Sequence, residues 1–170
     1  MIFKLRTYEP GDFETLYEID RRCFAPEIAY SRRELRNYLG FPGAICVVAL
    51  NGKKPASPQI AGFCIAVYSH GWGHLVTMDV LPEFRRHGVG SKLLAETERR
   101  LASAGVVEIG LETATTNESA IAFWEKHGYR KYGIHEEYYP DGQDAYEMAK
   151  ALKPPILDPS DSESGKKSGK

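Results

Sequence analysis

Three stretches of this 170-residue chain hold residues whose types and spacing could do chemistry. The first is "DVLPEFRRHGVGSKLL", from Asp79 to Leu94. An apolar strand ends at Val80, and Pro82 prevents its smooth continuation. Arg85, Arg86, His87, Gly88, Val89, Gly90 and Ser91 then lead into an amphipathic helix. Glycines let a backbone approach a ligand closely. The first N–H groups of a helix lack intrahelical partners and stand at its positive end, so together they suit a phosphate or pyrophosphate. The same pattern also fits an ordinary loop-to-helix turn with solvated arginines. It lacks the Lys-Ser/Thr ending of a P-loop and differs from the dinucleotide fingerprint.

The second stretch is "NESAIAFWEKHGY", Asn117 to Tyr129. Asn117 and Trp124 are seven residues apart, two helical turns, and so are expected on one side of a short helix. Asn117 also suits a plain helix N-cap, and both roles are compatible. Just upstream, Glu112 in "LETATTN" is a carboxylate on a strand. The third stretch, "EYYPDGQDAYEM", brings Tyr138 and Tyr139 before a Gly-containing turn. Adjacent strand residues face opposite ways, so one of these tyrosines is expected toward a ligand at any point.

Positioning these groups needs a set of elements that the sequence also announces. "IFKLRTY" reads as a first strand, stopped by "PGD", with Asp12 placed to cap the next helix. Phe13, Leu16, Tyr17, Ile19, Asp20 and Phe24 recur at helical spacing, ended by Ala25 and Pro26. Ser31 and Glu34 form a capping box before a second helix, whose face is Leu35, Tyr38 and Leu39 and which Gly40 closes. "AICVVAL" is a buried strand, "NGKKPASP" a polar turn, and "QIAGFCIAVYS" and "GHLVTMDV" two further strands joined near His70–Gly73. "SKLLAETERRLASAG" is an amphipathic helix with Leu93, Leu94, Thr97, Leu101 and Ala104 on one face and Gly105 as its stop. "VVEIGLET" is the next strand, followed by the helix after Asn117, a strand from Tyr129, and a last strand through Tyr146 and Met148. The order β-α-α-β-β-β-α-β-α-β-β implies a mixed sheet with helices on both faces.

Composition bounds the function. A formal net charge of -1 gives no reason to expect nucleic acid or an anionic membrane as partner. No apolar run approaches the ~18 residues of a transmembrane helix. The start, "MIFKLRTYEPGD", lacks the apolar core of a signal peptide. Cys23, Cys46 and Cys64 are odd in number and free of CxxC patterns, which argues against disulfides and a zinc site and fits a reducing cytoplasm. The histidines match no metal-ligand spacing. Residues 1–152 are expected to form one domain, and residues 153–170, rich in Pro, Ser, Gly and Lys, a disordered tail.

In combination, "V-x-P-x-x-R-R-x-G-x-G-x-x-L-L" and "N-E-S-A-I-x-F-W-x-x-x-G-Y" resemble the GCN5-related N-acetyltransferases over roughly Ile2 to Leu152. "EYYPDGQDAYEMAKAL" is similar to the C-terminal strands of the protein N-terminal acetyltransferases, including those acting on ribosomal-protein alanine and on nascent chains. The resemblance implies an α/β fold: a mixed, mostly antiparallel seven-stranded sheet, splayed between strands 4 and 5, with about four flanking helices. It implies acetyl-CoA as cosubstrate and no metal. Residues Arg85 to Ser91 are then expected on the pyrophosphate, and Met78, Asp79 and Val80 beside the pantetheine, with a bulge aiming a backbone N–H at the thioester carbonyl. Asn117 is expected on the pantetheine arm, Glu112 as the proton acceptor, and Tyr138 and Tyr139 on the first peptide residues. The loop "CFAPEIAYS" replaces the relatives' first-residue pocket, which makes Phe24, Glu27 and Tyr30 candidates. Glu27 fits attraction of a cationic N-terminus and simple solvation equally.

The chain departs from the family at Trp124, where a Tyr usually protonates the leaving thiolate. An indole offers one N–H donor and no proton to transfer. Trp124 therefore either donates a hydrogen bond to the thiolate, or leaves protonation to Tyr138, Tyr139 or water, or only packs. The amine type follows from acidity. An α-amine, pKa about 7.7–8.0, is partly neutral near physiological pH, whereas a lysine amine at about 10.4 is almost wholly protonated. A carboxylate base thus favours an α-amine. The reading is acetyl transfer by direct attack of a primary amine, favourably a protein or peptide N-terminus, in the cytoplasm, by a monomer or weak homodimer. A small-molecule amine (antibiotic, polyamine or amino acid) and a decayed acyl-CoA sensor are the alternatives.

Overall fold

A computed structural model describes residues 1–52 and 59–153, so the expected tail beyond Lys153 and most of the polar turn after Asn51 lie outside the described residues. The elements are β1 (Phe3–Thr7), α1 (Phe13–Cys23), α2 (Arg32–Leu39), β2 (Ala44–Asn51), β3 (Gln59–Ser69), β4 (Trp72–Val80), α3 (Val89–Ser103), β5 (Glu108–Ala114), α4 (Glu118–Lys126), β6 (Arg130–His135) and β7 (Ala145–Ala151). Their order is the one read from the sequence.

Local chemistry sets most boundaries. The Glu34 N–H donates to the Ser31 hydroxyl while Ser31 N–H donates to the Glu34 carboxylate, which starts α2 as the capping box requires. Gly105, at φ 85°, ends α3 in the left-handed conformation that glycine adopts freely. Asp12 is a correction. Its carboxylate does not cap α1 but accepts the Glu9 N–H and two bonds from Arg6, closing the short turn at Pro10–Asp12 instead. Leu93, Leu94, Thr97 and Leu101 are buried as expected, whereas Ala104 is exposed because α3 has already ended. Each buried leucine contributes about 1.5–3 kcal/mol from removing its surface from water.

The strands form a seven-stranded sheet in the order β1-β2-β3-β4-β5-β7-β6. Every neighbouring pair is antiparallel except β4 and β5, which are parallel and bond only through Trp72–Glu108, Gly73–Ile109 and His74–Gly110. Beyond His74 and Gly110 the two strands separate. From there to its end, β4 presents backbone toward β5 without a ladder partner. This is the expected splay.

A bulge in β4 decides which side chains face which layer. Ala66 pairs with Leu75 and Ile65 with Thr77, so Val76 is the extra residue. Side-chain parity therefore reverses across Val76. Before it, a Cβ on Gly73 would touch Leu101 of α3, so Gly73 and Leu75 look to the α3 layer and His74 to the opposite one. After it, Thr77 and Asp79 look to the α1–α2 layer and Met78 to α3, where the Met78 methyl approaches Gly90. The resemblance led to a bulge beside Met78–Val80; it lies at Val76, just upstream.

Candidate active site

The splay collects the reactive groups. His74 is the last β4 residue paired with β5, and Glu112 stands two residues beyond Gly110 on the same face. The His74 Nε2 lies 2.6 Å from Glu112 Oε2. Both side chains keep some contact with solvent, at 32% and 21% exposure. The Tyr138 hydroxyl donates to the same carboxylate oxygen at 3.4 Å. Burial pushes the Glu112 pKa up, but the bond from His74, its charge, the Tyr138 hydroxyl and His135 outweigh it and hold Glu112 below the ordinary range. An ionised Glu112 fixes the His74 tautomer. In the neutral ring Nε2 carries the proton toward the carboxylate, and Nδ1, which meets no partner among the described residues, is the acceptor. His74 was not found from the sequence. Its signal was a titratable side chain in the part of β4 that pairs in parallel with β5, and using that signal required knowing which strands pair.

Two rims flank this pair on the α1–α2 face. On one side is the loop after α1. The Tyr30 N–H donates to Asp20 Oδ2 at 2.7 Å, and its hydroxyl donates to the Val76 carbonyl, on the bulge, at 3.3 Å. The Tyr30 and Tyr38 rings meet edge-on at 5.4 Å. Phe24 is half-buried at the end of α1, and Glu27 is exposed. On the other side, Tyr138 and Tyr139 sit in the loop between β6 and β7, not on a strand as expected, with rings 5.0 Å apart and edge-on. The loop frees them from strict alternation. The Tyr139 phenol is pushed up to about 12, chiefly by burial and then by Glu112, and stays protonated at neutral pH. Burial, with Glu112 beside it, raises Tyr138 as well.

The α3 layer holds the start of that helix. Lys92 is the first residue there to bond backward, to the Gly88 carbonyl. Among the described residues, the N–H groups from Arg86 to Ser91 meet no acceptor. Gly88 adopts φ 79°, and a Cβ there would meet nothing within 4 Å, so the space above the loop is open. A Cβ on Gly90 would stand 3.4 Å from the Phe123 ring and 3.6 Å from the Met78 methyl. The arginines divide. Arg85 folds back, its Nε donating to the Val80 carbonyl at 2.8 Å, while Arg86 is exposed. The Ser91 hydroxyl meets His127 Nε2 at 3.0 Å. The Asp79 side chain is 1% exposed and turned to the α1–α2 layer, so its backbone alone faces the splay, the part an added strand would use.

Asn117 and Trp124 do not share a face toward one ligand. Asn117 is exposed, and its Oδ1 accepts the Ala120 N–H and the Ser119 hydroxyl as the cap of α4. Its amide hydrogens meet no acceptor among the described residues. Trp124 is 7% exposed and packs edge-on between Phe123, at 5.0 Å, and Tyr129, at 5.5 Å. Tyr129 in turn donates to Glu98 of α3, which also holds Lys150 of β7. Phe123, one residue earlier, was the aromatic side chain missed. It stands over Gly90 at the start of α3.

The cysteines are free. Cys46 and Cys64 are buried, and Cys23 is half-buried against the Val80 carbonyl. Burial raises all three thiols, Cys23 to about 11 and Cys64 to about 12, so none is a ready nucleophile. Among the described residues no cluster of His, Cys, Asp and Glu could hold a metal, and no helix is long and apolar enough to cross a membrane.

Comparison with known proteins agrees with this architecture. An N-alpha-acetyltransferase from Saccharolobus solfataricus is 40% identical over 81 residues, 47% of this chain and 48% of that protein, so the match spans about half the length of that relative. The ribosomal protein bS18-alanine N-acetyltransferase of Escherichia coli K12 is 30% identical over 151 residues, 85% of this chain and 95% of that one. Among solved structures, the ribosomal-protein-S18-alanine N-acetyltransferase from Escherichia coli superposes with a TM-score of 0.78 at 25% identity, over 89% of this chain and 95% of that one. Ard1 from Thermoplasma volcanium gives 0.79 at 24% identity, over 90% and 99%. Residues 13–129, which run from the start of α1 past the end of α4, match the family model for acetyltransferases of the GNAT type. The chain belongs to the acetyltransferase (GNAT) family.

Proposed function

We propose that this protein transfers the acetyl group of acetyl-CoA to the N-terminal α-amine of a protein or peptide, in the cytoplasm. The observation that carries the reading is the His74–Glu112 pair in the splay, between a tyrosine rim on each side. Relatives named as acting on α-amines and on a ribosomal-protein alanine support the same acceptor class.

The chain's residues fit the cosubstrate. The unpartnered N–H groups from Arg86 to Ser91, the helix start behind them and the open space over Gly88 suit a pyrophosphate, with Arg86 adding charge. The unpaired edge of β4 after His74 suits an extended amide-bearing arm, as an added strand does. The free amide hydrogens of Asn117 are donors for the same arm. When bound, acetyl-CoA supplies an acyl thioester.

Catalysis by the chain's own groups then has three parts. Tyr30 and Tyr138 hold the first residues of the acceptor over the gap. As the acceptor nitrogen bonds to the acetyl carbon and the C–S bond breaks, His74 Nδ1 takes the amine's proton, Glu112 stabilises the resulting imidazolium, and CoA leaves as a thiolate that solvent protonates. The imidazole is a closer match to an amine in proton affinity than the carboxylate alone, so Glu112 acts through His74. Trp124 takes no part in proton transfer and packs α4 against Tyr129.

The test is CoA release over short peptides with different first residues, beside polyamines and free amino acids. Release with peptides and not with small amines is expected. Turnover confined to small amines would replace the acceptor class, and CoA binding without release on any amine would make the chain a sensor.

A further inference from the structure

Two carboxyls are buried together under the acceptor rim. Asp20 of α1 is 0% exposed and Asp79 of β4 is 1% exposed. Each has one oxygen with a clear partner. Asp20 Oδ2 accepts the Tyr30 N–H at 2.7 Å, and Asp79 Oδ1 accepts the Thr77 hydroxyl at 2.5 Å. The remaining oxygens, Asp20 Oδ1 and Asp79 Oδ2, meet no N–H or hydroxyl. The two side chains are in hydrogen-bond reach of each other. Two carboxylates have no hydrogen between them, and an orphaned buried oxygen costs about 1–3 kcal/mol, more when charged. A single proton between them satisfies both atoms at once.

We propose that Asp20 and Asp79 share one buried proton, and that this bond fixes the Tyr30 loop against the β4 bulge, making both aspartates positioning residues for the acceptor groove. The mechanical path is short. Asp79 joins α1 through Asp20, Asp20 holds the Tyr30 backbone, and the Tyr30 hydroxyl closes on the Val76 carbonyl. The inference rests on the reading of that rim as the acceptor side.

The surroundings support the assignment. Burial above all, then the Asp20 charge, raises Asp79 well above the ordinary range, so Asp79 holds the proton. Burial raises Asp20 as well, opposed by the Tyr30 N–H. The charged and titratable groups facing the pair are Arg21 and Cys23 on α1, Glu34 on α2, Cys46 on β2, Tyr30, and Arg85 after β4, while Cys64 of β3 lies across the sheet against Thr97 of α3. Both arginines favour charge, but Arg85 is already committed to the Val80 carbonyl. Stability from a raised acid is fully present below its unfolded pKa and is lost as pH rises through the folded value. Loosening of the loop is therefore expected as pH rises above the ordinary carboxylate range.

Asp79→Asn replaces the shared proton with a permanent N–H donor. Asp79→Leu keeps the branched heavy-atom skeleton, at a larger volume, and removes the donor. Two readouts separate positioning from simple folding. The first is amide exchange at Tyr30, measured without any substrate. In the parent chain its protection is expected to fall with rising pH by more than tenfold beyond the intrinsic base dependence. In Asp79→Asn the fall disappears, and in Asp79→Leu protection is low throughout. The second is KM for a peptide acceptor as a ratio of variant to parent, which cancels the peptide's own ionisation. That ratio is expected to fall with rising pH for Asp79→Asn, while KM for acetyl-CoA stays parallel. A loss of Tyr30 protection with rising pH in Asp79→Asn equal to the parent's overturns the proposal. Exchange that follows the prediction in a protein acetylating no peptide leaves the proton bond standing and removes only the acceptor reading.

Discussion

The imidazole of His74 and the carboxylate of Glu112 lie 2.6 Å apart across two strands that have just stopped bonding to each other. The parallel ladder brings them level, and its end leaves the space beside them open. A pair so placed is held as rigidly as the sheet and still reaches a ligand.

Removing either member is expected to lower kcat/KM for a peptide by roughly 100-fold or more, the usual contribution of a positioned base. His74→Gln and Glu112→Gln are to be compared by steady-state kinetics, with CoA affinity as the control. Equal kinetics for His74→Gln and the parent chain would remove His74 from the reaction.

Glu112 also predicts a pH dependence of stability. Its pKa is held below the ordinary range by His74 against the effect of burial. Its stabilising contribution is therefore present above the unfolded value of about 4.3 and is lost as pH falls through the lower folded value. Urea denaturation between neutral pH and pH 3 is expected to show a shallower acid decline in Glu112→Gln than in the parent.

Trp124→Tyr is expected to leave the pH profile of turnover unchanged, because this position is packed between Phe123 and Tyr129. Trp124→Ala is expected to cost about 3–5 kcal/mol in denaturant unfolding, as large-to-small changes in a core do. A new titrating limb in Trp124→Tyr alone would show that position 124 reaches the leaving group.

Gly88 and Gly142 both adopt positive φ, 79° and 83°, and a Cβ at either meets nothing within 4 Å. Alanine at each carries a similar backbone strain, about 1–2 kcal/mol. Calorimetry with CoA is expected to show at least tenfold weaker binding for Gly88→Ala and little change for Gly142→Ala. The same loss in both would trace it to the backbone rather than to the phosphate loop.

Tyr129→Phe removes one bond to Glu98 while Lys150 stays on that carboxylate. The expected cost is about 1 kcal/mol with an unchanged denaturant slope. A larger loss would mean that Glu98 needs both partners.

Much of this protein was legible before any coordinates. The element order followed from apolar periodicity, and the start of α2 from Ser31 and Glu34, because both are local interactions over a few residues. The glycine-containing turn into α3 was legible for the same reason: Pro82, Gly88 and Gly90 act on their own backbone. Glu112 was found through the family pattern. What tertiary structure alone decided begins with one residue, Val76. It is an extra residue only in relation to Ile65 and Ala66 across the ladder, so no property of β4 by itself announces it. That bulge reverses the faces of the strand. It sets His74 among the tyrosines, sends Met78 toward Gly90, and turns Asp79 away from the splay and onto Asp20. Strand pairing is a contact between distant parts of the chain, and the face a side chain takes is fixed by that contact and not by its neighbours in sequence.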